Sequence, residues 1–125
     1  MAETVTYAGS ASVAGGPTVP FTVTLNVDGY KKFNITVGMG TKQTLNLGTA
    51  GATVSLLLIK ASTYGSDLTF DAGGGEGALP LDAPLLVGGT GALKLVKAGG
   101  VESIEFDNKS TDDVTIDVFV ARTPV

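Results

Sequence analysis

The stretch that decides the fold is Val101-Glu-Ser-Ile-Glu-Phe-Asp-Asn108 and, after a polar turn, Val114-Thr-Ile-Asp-Val-Phe-Val120. In the first part Ile104 and Phe106 alternate with Glu105 and Asp107. In the second, Val114, Ile116, Val118 and Val120 share one face. This is period two, the strand period. The intervening Asn108-Lys-Ser-Thr-Asp-Asp113 gathers side chains that hydrogen-bond their own backbone in turns. The pair reads as a hairpin with one dry and one wet face, and such a hairpin is stable only against a second layer.

The chain upstream supplies that layer. Residues 18–27 alternate, with Phe21, Val23, Leu25 and Val27 on one face and Thr22, Thr24 and Asn26 on the other. Pro17 and Pro20 stand at the strand start, where a missing N–H is tolerated. After Asp28-Gly29 the apolar set becomes Phe33, Ile35 and Val37, which is out of phase with a two-residue turn. The chain therefore either makes an odd-numbered, bulged loop or changes sheets there. Leu45 and Leu47 return the dry face after a turn at 38–42. Val54-Ser-Leu-Leu-Leu-Ile59 has no alternation and reads as a central strand buried on both faces. Further strands are expected at 68–70, at 78–84 as an extended edge, at 85–87, and at 92–97 with Leu93 and Leu95 inward. Residues 3–8 read as a first strand, and 9–17 as a wide loop or flexible arm of small residues.

The fold expected is all-β: an antiparallel β-sandwich of about 8–10 short strands, jelly-roll-like, without a helix. Residues 1–125 form one domain, with 1–17 as an N-terminal strand and flexible arm. A chain of 125 residues buries about two-thirds of its unfolded surface and needs no disulfide or metal staple.

Composition narrows the chemistry. The sequence holds no Cys and no His, which removes thiol nucleophiles, thiolate metal sites and the histidine of a Ser-His-Asp triad. Its formal charge is −4, and the excess lies in the last quarter, where Glu102, Glu105, Asp107, Asp112, Asp113 and Asp117 face only Lys109 and Arg122. Without a basic stripe, nucleic acid is a poor partner. The longest charge-free apolar run, 54–59, is too short to span a bilayer. The N-terminus lacks the basic and apolar regions of a secretory signal, so synthesis and folding in a cytoplasm are expected.

Candidate sites were weighed against plainer readings. Gly73-Gly-Gly-Glu-Gly77 and Gly88-Gly-Thr-Gly91 lack the Lys-Ser/Thr and the helix of a phosphate loop, and read as loops and turns. Asp107, Asp112 and Asp113 are weak metal candidates in a turn that needs no ion. No catalytic or cofactor-binding residue is assigned, and the chain is expected not to be an enzyme. Outward positions of the last strand, Thr115 and Phe119, together with Tyr7 and Tyr30, are interface candidates.

Three stretches, Leu56-Leu-Leu-Ile-Lys60, Leu79-Pro-Leu-Asp-Ala-Pro84 and Phe106-Asp-Asn-Lys-Ser-Thr-Asp-Asp-Val-Thr-Ile-Asp-Val-Phe-Val-Ala-Arg122, resemble the small all-β structural proteins of tailed bacteriophage virions. The resemblance covers roughly the second half of the chain and matches no diagnostic motif. It implies a head decoration, fibre, or neck and tail accessory protein, made in the host cytoplasm and built into the virion. Its partners would be other virion proteins and itself, as a homo-oligomer with a trimer favoured, and neither nucleic acid nor membrane. The competing expectation is a carbohydrate- or cation-binding sandwich using the loops at 73–77 and 108–113, with Tyr7, Tyr30 and Tyr64 clustered in a groove.

Overall fold

The polar turn after Asn108 carries the chain from one sheet into another. The computed structural model describes residues 3–47, 52–73, 77–89, 92–93, 96–97 and 101–124. Its strands are β1 (Glu3–Ser12), β2 (Thr18–Val27), β3 (Gly29–Val37), β4 (Thr41–Asn46), β5 (Ala52–Ala61), β6 (Gly65–Asp71), β7 (Leu79–Leu81), β8 (Leu85–Gly88), β9 (Ser103–Asn108) and β10 (Val114–Pro124). β9 pairs with β4 and β6, whereas β10 pairs with β3 and β5. The hairpin expected from 101–108 and 114–120 is thereby corrected. Ile104 and Phe106 do not lie beside Val114, Ile116, Val118 and Val120 in one sheet; both sets enter one core from opposite sheets. Period two identifies a dry face but not which sheet carries it.

Asn108 makes this crossing. It is fully buried; its Nδ2 donates to the carbonyls of Val37 (3.0 Å) and Asp112 (2.8 Å), and its Oδ1 accepts from the Ser110 N–H (3.0 Å) and hydroxyl (2.6 Å). The turn is thus wound around one amide and tied to the end of β3. Beside it, Gly40 takes a φ of 70°, a conformation suited to glycine, and its N–H donates to the Asn108 carbonyl at 2.7 Å.

The strand orders are β3-β10-β5-β8 and β4-β9-β6-β7. The antiparallel pairs β3:β10, β4:β9, β5:β8 and β6:β7 are nested one inside the next. A long hairpin folded over on itself generates that set, and two four-stranded sheets packed face to face in this order are a jelly roll. The outer pairs, β3:β10 and β4:β9, join segments far apart in the chain, so the roll depends on non-local contacts. The core between the sheets includes Val37, Leu57, Ile59, Phe106, Ile116 and Val118, each no more than 1% exposed. Among the described residues, no buried side-chain polar atom lacks a hydrogen-bond partner.

Central placement of residues 54–59 holds: β5 lies between β10 and β8, with Leu56 and Leu57 both buried although they point to opposite faces. At Asp28 the chain takes the second of the two routes left open by the sequence and changes sheets; the Asp28 N–H donates to the Arg122 carbonyl at 2.9 Å. The strand expected over 92–97 is corrected at its described residues; Leu95, expected inward, lies outside them. Ala92, Leu93 and Val96 are helical, and the bonds Leu93 N–H to Gly89 carbonyl and Lys97 N–H to Leu93 carbonyl, both 3.1 Å, have helical spacing. Leu93 still points into the core. Ala, Leu and Lys are good helix formers, and a segment outside the nested pairing has no ladder to hold it extended.

β1 and β2 form a separate two-stranded sheet. Residues 9–12, expected as loop, continue β1, so only 13–17 turn the chain. That turn closes with Val13 N–H to Pro17 carbonyl (3.0 Å) and Gly16 N–H to Val13 carbonyl (2.8 Å).

Candidate assembly surface

The β1–β2 hairpin is an arm with two unlike faces. Its register places Val5 opposite Leu25, Tyr7 opposite Val23, Gly9 opposite Phe21 and Ala11 opposite Val19. Directly opposed residues share a face, so one side of the arm is apolar along its length. The reverse side carries Thr4 with Asn26, Thr6 with Thr24, Ala8 with Thr22, Ser10 with Pro20 and Ser12 with Thr18. No charged residue occurs from 4 to 27, although the chain has 12 acids and 8 bases.

The basal half of the apolar side rests on the outer face of the β3-β10-β5-β8 sheet. Val27, Leu56 and Ala121 are buried there at 2% exposure or less, with Val5, Tyr7, Leu25 and Phe119 packed around them. Ala121 pairs with Leu56 and Leu56 with Gly88, so the arm crosses the sheet from β10 toward the β8 edge. The last step needs glycine: a Cβ on Gly88 would collide with the Tyr7 hydroxyl. Tyr7 in turn meets Phe21 edge to face at 6.3 Å. Phe21 lies across Gly9, where a Cβ would stand 2.9 Å from its ring.

Among the described residues the distal half rests on nothing. Every residue from 11 to 20 is exposed, and Val13, Val19 and Phe21 are 64%, 67% and 43% exposed. Between the arm and the body runs a groove of about 530 Å³, roofed by Tyr7, Phe21 and Val23 and floored by residues that include Leu79, Leu86 and Gly88. Among the described residues its lining contains no charged side chain. β7 and β8, which supply part of the floor, are edge strands of the two main sheets.

The interface candidates from the sequence separate into three situations. Phe119 is half-buried and stacks on Tyr30 at 5.7 Å with 19° between rings, while Tyr30 itself is 55% exposed. Tyr7 is spent in the arm's own seat and roofs the groove. Thr115 lies at the polar end of the same sheet face, opposite Thr36, with Asp117 between it and Phe119 along β10. A hollow of about 250 Å³ beside Phe119 is lined by Lys32, Leu58, Lys60 and Asp117, and Asn34 Nδ2 donates to Asp117 Oδ1 at 2.6 Å. Val13, Val19, Phe21, Leu79 and Leu86 were missed. The signal for the arm residues was present in the charge-free run and in the shared phase of Val19 and Phe21 with Val23 and Leu25.

The acidic turn is organised by Asn108. Asp107 lies 3.9 Å from Lys109, and Asp113 Oδ1 accepts from the Met39 N–H at 3.0 Å. Asp112 takes part through its carbonyl. Among the described residues no three acids converge as a metal site would require. Of the glycine-rich stretches, residues 74–76 and 90–91 lie outside the described residues; Gly88 ends β8 and Gly89 turns with a φ of 89°. The three tyrosines do not form one groove: Tyr7 roofs the apolar groove, Tyr30 stacks on Phe119, and Tyr64 accepts the Ala61 N–H at 3.1 Å. In comparisons with known proteins, no family model matches the chain, and no curated protein or solved structure is significantly similar to it.

Proposed function

We propose that this chain is a non-enzymatic structural protein of a phage virion, acting by self-association or by attachment to a capsid or tail. The observation that carries the reading is the arm, whose apolar face runs on past the body and leaves Val13, Val19 and Phe21 in solvent. An exposed apolar surface of this kind costs solubility in a monomer and is retained where a partner covers it. The resemblance to small all-β virion proteins supplies the setting, and a jelly roll is compatible with it, although a fold does not imply a function.

Light scattering during size-exclusion chromatography tests the reading. A discrete oligomer, with a trimer the favoured size, that falls to monomer when Val13, Val19 and Phe21 are replaced together by Thr supports it. An oligomer mass indifferent to those replacements refutes the role of the arm, and a monomer at all concentrations leaves only attachment to a preformed shell.

A carbohydrate-binding module is the second reading. It is favoured by the hollow where Lys32, Lys60 and Asp117 border the Phe119 ring, since sugar sites combine an aromatic surface with a few polar groups. Saccharide-induced shifts confined to those residues in an NMR titration would select it over assembly.

A further inference from the structure

We infer that the groove between arm and body is filled by the distal arm of a second copy of this chain, each copy's tip lying under the arm of the next. This rests on the assembly reading and names its partner surface. Three observations converge on a second copy. First, the surface that lacks cover and the surface that offers it are both in this chain: Ala11, Val13 and Val19 at the tip, and Leu79, Leu86 and the open side of Phe21 at the groove. Second, the arm already seats on this body through its basal half, with Val5, Leu25 and Val27 against Leu56 and Ala121. The distal half continues the same apolar face in the same register, so a neighbour's body offers it more of the surface it is built to meet.

Third, charge selects the contact. The chain carries −4, and two copies repel wherever their acidic faces approach. Glu105 and Asp107 stand in line along β9, with Asp71 opposite Glu105 and Lys42 opposite Asp107, so the outer face of the β4-β9-β6-β7 sheet carries an acidic excess and is a poorer surface for a like-charged copy. Residues 4–27 carry no charge, and neither does the groove lining among the described residues, so tip-in-groove docking brings neutral surface onto neutral surface. The same neutrality argues against an anionic or cationic partner, which would bury its charge unpaired. Exchanging matching elements between copies is a low-cost route to closed oligomers.

The absence of cysteine from the sequence makes the test direct. Isotope-labelled Val19→Cys protein is mixed with unlabelled Leu86→Cys protein under a mild oxidant, and disulfide-linked dimers are weighed by mass spectrometry. Both positions are exposed, so neither replacement threatens the fold. Expected is a mixed dimer several-fold above that from Val19→Cys with Thr36→Cys, a control at the polar end of the β3-β10-β5-β8 sheet. A discrete oligomer whose mixed dimer does not exceed the control overturns the docking and leaves the assembly reading standing. A chain that stays monomeric and uncrosslinked at every concentration gives the groove to a different protein and overturns the second copy as its occupant.

Discussion

The sandwich and the arm are built from the same kind of strand, alternating and one-sided, yet they end differently. Every dry face in the two main sheets meets another: Phe106 and Ile104 on one side, Ile116 and Val118 on the other, all closed from water. The arm's dry face meets its own body only as far as Tyr7 and Val23, and beyond them it is bare. The difference separates surface that folding covers from surface left open, and the exposed half of the arm, with no core of its own to close, is the part that the proposed contact between molecules would use.

Four substitutions would sharpen or break that contrast. Phe106→Ala opens a cavity at the centre of the sandwich and should cost about 3–5 kcal/mol, read from the urea midpoint. Asn108→Ala removes an amide with four hydrogen bonds and strands the groups it joined; a loss of about 2–3 kcal/mol in the same titration is expected. Gly88→Ala should act on the arm alone, lifting Tyr7 at a cost of about 1–2 kcal/mol and raising hydrogen exchange in β1 and β2 while β5 and β10 keep their protection. Equal loss of protection in β5 would make the arm part of the core and erase the contrast. Val13→Thr, at an exposed tip, should move unfolding by less than about 0.5 kcal/mol and yet weaken self-association, as dilution in the light-scattering experiment would reveal.

The sequence displays one part of this well. Alternation in 18–27 and 114–120 shows the dry faces, and the unbroken run 54–59 shows a strand covered on both sides, because burial writes itself into residue choice. Sheet membership is not written there. The turn 108–113 looks like a hairpin turn because Asn, Ser and Asp satisfy backbone groups locally whether the next strand stays in the sheet or leaves it. Only the Asn108 side chain reaching Val37 decides, and that contact spans 71 positions of chain. The helical conformation of Ala92, Leu93 and Val96 was hidden for a related reason: Leu93 points inward in either conformation, so its apolar character does not distinguish them. The proposed assembly surface was half legible. Phe119 stands out by its phase, but the arm holds it partly covered, while Gly9 and Ala11, expected in the loop or arm, are strand opposite Phe21 and Val19, and Val13 lies in the turn that follows.

The central claim is that the sandwich is complete in one chain and the distal arm is completed by another. Amide hydrogen exchange at low and at high protein concentration measures both halves of it at once. The account predicts that amides from residues 9–21 exchange fast in dilute solution and slow markedly as concentration rises, with β5, β9 and β10 equally protected throughout. Arm amides that exchange at the same rate at both concentrations, whether fast or slow, would contradict it.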